Sequence, residues 1–455
     1  MADFPDEIRV TWRKSHKLRG GENGHQGAAD YERVATPEDK RSIGMMDLPN
    51  LGSAPPESYS ATNLEDGQSL LHLVTHAEQE MRTYFAGRRT PQLVANAKHG
   101  RPVVTGFAET QADAFIKMFL GDADSPFGGW FVFNSPVEYA TAELLKSMMF
   151  VGIIAPGYHD DVAGLLLGTD KTKDPRNRSG HAGRYLLNST GLTLDHITGN
   201  FGGQPRFIGS DKLLVQDWDH TPWNPRTDAV IAAGNSGIEN MVTLGQGTLD
   251  NLFLSGLMAR HYNSNLVFFW YDGALVGLGD GCGSRVKAAK KAREGMETSP
   301  FGAWTYGTDD AWKRVLEGRP FTREQFERVL RSGRKLIAFS DAFYPHPDGY
   351  IETTGRDRTD FPEGKVTLHT KKGAETPFWL SRVNYNAEYP RQLIPQIVVQ
   401  PGGSDKDYQT LALADQFGIP LVFTMNPEQF ARYKSVTEGG KLPTGRRFFG
   451  HPPLF

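Results

Sequence analysis

Leu70, Val74, Ala77, Met81 and Phe85 recur at intervals of three and four within residues 67–86, the stripe of a helix buried along one side. Similar spacing predicts amphipathic helices over residues 109–120, 139–150, 248–262, 284–296, 322–334 and 407–417. Between them stand apolar runs of strand length at residues 151–155, 266–270, 274–278, 336–339, 397–399 and 419–423. Asp272-Gly273, between two of those runs, marks a hairpin turn. Strands alternating with helices, with a hairpin among them, predict an α/β chain whose mixed sheets are flanked by helices.

Two segments look like distant copies of one device. Ile153-Ile154-Ala155-Pro156-Gly157 is followed by Asp160-Asp161 and a helical pattern, and Val398-Val399-Gln400-Pro401-Gly402 by Asp405, Asp407 and another. Each reads as a buried strand that stops at Pro-Gly and hands over to a helix N-terminus. Such a junction suits an anion or carbonyl oxygen, and equally an ordinary capped turn. The pairing predicts an internal duplication, and 455 residues leave room for two or three domains. Residues 168–182 and 349–392, polar or without a firm helical period, read as surface excursions.

Composition narrows the function. The chain sets 53 Asp and Glu against 50 Lys and Arg, a formal net charge of -3, so it lacks the positive excess that marks nucleic-acid or membrane-surface partners. Cys282 is the single cysteine, which excludes an intrachain disulfide and a thiolate metal cluster and fits a reducing compartment. With no base beside it, Cys282 reads as a small buried residue rather than a nucleophile. The acidic start Met1-Ala2-Asp3-Phe4-Pro5-Asp6-Glu7 has no signal-peptide pattern, and no apolar stretch is long enough to cross a bilayer. A cytoplasmic protein is expected.

Five segments carry candidate chemistry. Residues 18–26 put Arg19, Asn23 and His25 on a Gly-rich loop that suits a phosphate or polar ring, or is an exposed turn with incidental polarity. Lys98-His99 sets an imidazole, the side chain best suited to take a proton near neutral pH, next to a positive charge; the same dipeptide is common on surfaces. Ser125-Pro126-Phe127-Gly128 either presents an aromatic ring or buries a core Phe at a turn-to-strand junction. Asn265 leads into the predicted hairpin, which ends in Gly277-Leu278-Gly279-Asp280-Gly281, and Ser284-Arg285 then opens a basic helix. Alternate glycines allow close backbone approach there, although the spacing is wrong for a dinucleotide fingerprint. Finally, Ser340-Asp341-Ala342-Phe343-Tyr344-Pro345-His346-Pro347-Asp348 runs an apolar strand into acids, aromatics and prolines. It reads as a strand-end pocket for a flat ring whose N–H groups the carboxylates receive, or as a capped turn over a hydrophobic edge.

In this order the segments resemble the transformylase domain of the bifunctional purine-biosynthesis enzymes that formylate aminoimidazolecarboxamide ribonucleotide. The resemblance rests on Leu18-Arg19 with Asn23, His25 and Gln26, on Lys98-His99 with Pro102, and on Ser125, Phe127 and Gly128. It continues through Gly152-Ile153-Ile154-Ala155-Pro156-Gly157-Tyr158 and Ser264-Asn265, followed by Gly277, Gly279, Gly281, Ser284 and Arg285. Ser340-Asp341-Ala342-Phe343 with Pro345, and Gln400-Pro401-Gly402-Gly403-Ser404, complete it across nearly the whole chain.

The resemblance implies two cytidine-deaminase-like α/β subdomains, residues 1–245 and 246–455, the second with an insertion near 349–392, and an active site at a homodimer interface. It implies 10-formyltetrahydrofolate as co-substrate, whose formyl group passes to the 5-amino group of the nucleotide. On this reading His99 takes the amine proton, Lys98 stabilises charge or helps protonate the departing folate nitrogen, and His25 and Asn265 assist. Arg19, Asn23, Arg447 and Phe449 are expected to bind nucleotide, and Phe127, Arg285, Val286, Phe343, Pro345, Asp348 and Ser404 to bind folate.

The departures from the family pattern are local. Gly20 and Gly24 replace the family's Tyr and Pro, and His346-Pro347 stand where an aromatic residue and Arg are common. An unfamiliar stretch, residues 425–446, precedes Arg447-Phe448-Phe449-Gly450-His451, which is taken as the family's terminal motif. The sequence has no counterpart of the preceding cyclohydrolase domain, so ring closure is expected of another protein. Two other readings compete. A diverged nucleotide or folate binder without formyl transfer would have no need of the Lys98-His99 base, and a zinc hydrolase on the same fold would lack its His and Cys ligands.

Overall fold

The computed structural model describes residues 11–18, 28–34, 43–55, 58–168, 183–198, 204–207, 212–216, 219, 221–234, 241–344, 353, 365–369, 375–379, 393–404, 407–435 and 442–448. Two compact units are present, and the chain passes from the first to the second between Pro222 and Trp223, with residues 119–123 also belonging to the second. The passage precedes the boundary expected at residues 245–246 because Trp223 already packs edge-on against Phe339 and Phe448 of the second unit.

In the first unit β1 (Trp12–Lys17) and β2 (Ala29–Arg33) form an antiparallel pair. Helix α1 (Ala61–Tyr84) starts before the predicted stripe because Ser60 caps it: the Ser60 hydroxyl accepts the Asn63 N–H, and the Asn63 side chain accepts the Ser60 N–H, each at 3.2 Å. A hairpin follows, β3 (Gln92–Lys98) with β4 (Arg101–Ala108), then α2 (Gln111–Met118), β5 (Trp130–Phe133), α3 (Tyr139–Leu145), β6 (Gly152–Ala155), α4 (Val162–Gly168), β7 (Tyr185–Asn188) and α5 (Leu194–Thr198). Strand β3 lies antiparallel to both β4 and β5, and β5, β6 and β7 run parallel. A small antiparallel pair, β8 (Gln204–Phe207) and β9 (Leu213–Gln216), completes this unit.

The second unit opens with β10 (Val230–Ala233) and α6 (Gln246–Ala259), then the predicted hairpin of β11 (Val267–Tyr271) and β12 (Ala274–Gly279). After α7 (Arg285–Glu297) come three short helices, α8 (Pro300–Tyr306), α9 (Asp309–Leu316) and α10 (Arg323–Val329), and the buried strand β13 (Leu336–Ser340). The predicted 349–392 excursion holds an antiparallel pair, β14 (Lys365–His369) with β15 (Glu375–Trp379). Finally β16 (Ile397–Gln400), α11 (Asp407–Phe417), β17 (Leu421–Phe423) and α12 (Pro427–Ser435) follow in order.

The two units repeat one topology. In the second, β11 lies antiparallel to β12 and β13, while β13, β16 and β17 run parallel, as β3, β4, β5, β6 and β7 do in the first. The two Pro-Gly segments occupy equivalent strands, β6 and β16. Every residue of β5, β6, β11, β13 and β16 is buried, which is why these strands read as continuous apolar runs rather than alternating ones. The fold is a mixed α/β architecture with helices flanking the sheets. No described helix is long and apolar enough to cross a membrane.

The alternate glycines of β12 admit a helix, not a ligand. A Cβ at Gly279 would lie 2.7 Å from the Ala288 carbonyl carbon, and one at Gly277 would lie 2.9 Å from Met296 Cβ, both on α7. Gly279→Ala should therefore push α7 off its strand and destabilise the protein by about 1–3 kcal/mol, measurable as a lowered urea midpoint at unchanged slope.

Candidate active site

In the first unit, Lys98 ends β3 and pairs with Arg101, the first residue of β4, leaving His99 and Gly100 as a two-residue turn. Both turn residues have left-handed backbone, φ 57° at His99 and 72° at Gly100, as a tight type I′ hairpin turn requires. Glycine adopts that conformation freely, whereas a histidine in it carries strain. His99 is exposed at the tip and Lys98 is half-buried. The turn is held from below by Asp66 of α1, whose Oδ1 accepts the Gly100 N–H at 2.7 Å. Three residues before His99, Asn96 Nδ2 donates to the Pro126 carbonyl at 3.2 Å, so the Phe127 turn is tied to the same strand, with Phe127 half-buried.

Asp66 is 5% exposed. Burial drives its carboxyl up to about 6, opposed by the Gly100 N–H and the Lys98 charge and reinforced by neighbouring Glu65. A carboxyl raised in the folded state stabilises the fold below its unfolded value near 4, and that contribution disappears as pH rises through about 6. Asp66→Asn, neutral throughout, should thus gain on the wild type by up to about 3 kcal/mol between pH 4 and pH 7, read from urea unfolding at the two pH values. A stability difference independent of pH would contradict it.

The second unit gathers Asn265, Arg285 and Asp341 into one hydrogen-bonded cluster. Arg285 Nη1 donates to Asn265 Oδ1 at 2.7 Å and Nη2 to Asp341 Oδ1 at 3.0 Å, and the same carboxylate oxygen accepts the Leu266 N–H at 3.0 Å. Asn265 Nδ2 in turn donates to the Cys282 carbonyl at 2.8 Å, joining the start of β11 to the loop after β12. Arg285 reaches this point because Ser284 caps α7, its hydroxyl accepting the Lys287 N–H at 3.3 Å. Asp341, on the segment expected to receive the N–H groups of a ring, receives those of Arg285 and Leu266 on Oδ1. Cys282, expected to be buried, is half-buried, because its segment closes the hairpin as a loop; its thiol donates to the Asp280 carbonyl at 3.5 Å.

Arg447 and Phe343 also meet, the guanidinium carbon 5.4 Å from the ring centre. Phe448, fully buried, packs edge-on to Phe339 and donates its N–H to the Asp341 carbonyl at 3.1 Å, which fixes the exposed Arg447 beside the cluster's own loop. Val286 is exposed on α7. The Ser404 N–H and the Gly403 N–H both donate to Asp407 Oδ2, at 2.8 and 2.6 Å, so the Pro-Gly-Gly-Ser turn is fastened to the first residue of α11. Lys98, His99 and Phe127 belong to the first unit and Asn265, Arg285, Val286, Phe343, Ser404 and Arg447 to the second. Arg19, Asn23, His25, Pro345, Asp348 and Phe449 lie outside the described residues.

Sequence reasoning missed Asp66. A signal was present: Asp66 stands four residues before Leu70 and eight before Val74, so it continues the apolar stripe of α1 as a carboxylate pointing into the fold.

A repeated mixed α/β unit, with an imidazole and an ammonium on a hairpin of the first copy and a guanidinium–amide–carboxylate cluster in the second, defines the class: a two-unit mixed α/β protein. The chain belongs to the AICARFT/IMPCHase bienzyme family, whose model matches residues 1–295. It is similar to the bifunctional purine biosynthesis protein PurH of Dinoroseobacter shibae, 25% identical over 436 residues that cover 92% of this chain and 60% of the relative. It also resembles PurH of Roseobacter denitrificans (26% over 419 residues, 90% and 58%) and of Bacillus subtilis (25% over 420 residues, 92% and 60%). The chain thus spans about 60% of the length of the curated relatives it matches.

Proposed function

We propose that the chain transfers a formyl group from 10-formyltetrahydrofolate to the 5-amino group of aminoimidazolecarboxamide ribonucleotide. The amine is a feeble nucleophile, its lone pair delocalised into the ring and carboxamide, so it needs a base and close positioning. The amine nitrogen bonds to the formyl carbon and yields a proton to His99; the bond from that carbon to the folate nitrogen breaks, and this nitrogen takes a proton with Lys98 assisting. Asn265 and His25 support the transfer. Arg19, Asn23, Arg447 and Phe449 hold nucleotide, while Phe127, Arg285, Val286, Phe343, Pro345, Asp348 and Ser404 line the folate site, which a second copy of the chain completes.

The observation that carries this reading is the exposed, left-handed His99 beside Lys98 on an anchored turn, in a chain of this family. A binder has no use for a strained imidazole at a hairpin tip. Purified protein mixed with both substrates should release tetrahydrofolate in step with formylated nucleotide. Binding of both substrates with no tetrahydrofolate released would overturn the transferase in favour of a binding protein.

A further inference from the structure

We propose that Asp66 is a positioning residue for the Lys98–His99 pair, its carboxylate pinning the His99–Gly100 turn to helix α1 and so fixing the direction of both side chains. The inference deepens the formyl-transfer reading and rests on it.

Three observations carry it. Asp66 is buried in the second turn of a 24-residue helix that packs beneath the sheet of its unit, which makes it a rigid support. Its 2.7 Å bond to the Gly100 N–H reaches across 34 residues to one particular turn. That turn also rests directly on the helix: a Cβ at Gly100 would lie 3.7 Å from Glu65 Cβ. A two-residue hairpin turn with left-handed backbone closes without outside help, so its own stability does not call for a buried acid beneath it.

The acid is also expensive where it stands. Burial raises its pKa to about 6, and the charged groups acting on it are Glu65 from its own helix and Lys98 from the hairpin. A neutral acceptor would hold Gly100 at a lower desolvation cost. The carboxylate adds a stronger, charge-assisted bond to the turn and a fixed negative charge near the Lys98 ammonium, both of which restrict where the two side chains point. Misplacement of a catalytic group by about 1 Å can cost on the order of a hundredfold in rate, so such restriction acts on turnover rather than on substrate affinity.

The test compares wild type, Asp66→Ala and Asp66→Asn in formyl transfer and in amide hydrogen exchange at Gly100. Asp66→Ala should lower kcat about tenfold or more with nucleotide KM within about twofold, and should speed Gly100 exchange about tenfold or more. Asp66→Asn keeps an acceptor and should recover most of the Gly100 protection and a large part of kcat. Asp66→Ala with Gly100 still protected, or with kcat within about twofold of wild type, would overturn the proposal. So would Asp66→Asn that restores protection while leaving kcat at the alanine level. Should the wild type transfer no formyl group, the formyl-transfer reading fails by itself, and the exchange comparison still decides whether Asp66 anchors the turn.

Discussion

His99→Ala is expected to lower kcat/KM for formyl transfer by roughly 10²- to 10⁴-fold, the usual worth of a general base, with circular dichroism and unfolding midpoint close to wild type. The side chain is exposed at the tip of the β3–β4 hairpin, so its removal costs little packing. A second substitution sharpens the test. At φ 57° a non-glycine residue carries strain on the order of 1 kcal/mol, so His99→Gly should match or exceed wild-type stability by a few tenths to about 1 kcal/mol, the gain reduced by the glycine's extra freedom when unfolded. Loss of activity together with a gain in stability identifies a residue kept for chemistry against its own backbone preference. Activity of either variant within about threefold of wild type would remove His99 as the base, and a marked loss of stability in His99→Gly would show that the turn, not the imidazole, is what the position maintains.

The sequence disclosed the strands best where burial on both sides makes them uniformly apolar, as in β13 and β16, and helix α11 where predicted limits coincide with the observed ones. The β3–β4 hairpin was not legible as a hairpin, because its turn is His99-Gly100 rather than Asn-Gly or Asp-Gly. Helices α8 and α9, of seven and eight residues, are too short to show a period; they begin because Ser299 and Thr308 cap them, each hydroxyl accepting an N–H at 3.2 Å. Candidate site residues were legible as motifs, but their local partners were not. Nothing in the spacing of Asn265, Arg285 and Asp341 shows that one guanidinium joins all three, since three different elements must first be brought together. Asp66 was hidden for the opposite reason: it lies inside a regular helix, where a single acid is easily read as solvent-facing.

Asp341→Ala is expected to cost about 3–5 kcal/mol of stability, the largest effect foreseen for any single substitution in the second unit. The carboxylate is 1% exposed and serves two donors with one oxygen, the Arg285 guanidinium and the backbone N–H of Leu266. Without it a guanidinium only 11% exposed keeps its charge with no carboxylate opposite, and the first amide of the β11 strand region loses its acceptor. Arg285→Met should also be destabilising, because it leaves the 1% exposed Asp341 carboxylate without its guanidinium and with only the Leu266 N–H of these two donors. The double variant Asp341→Ala with Arg285→Met should recover part of the loss, since a buried pair removed together often costs less than one partner removed alone. Urea unfolding of the four proteins measures the coupling. Additive losses would mean that Arg285 and Asp341 stabilise the unit independently, and that the guanidinium is directed at Asn265 by packing alone rather than by the acid beneath it.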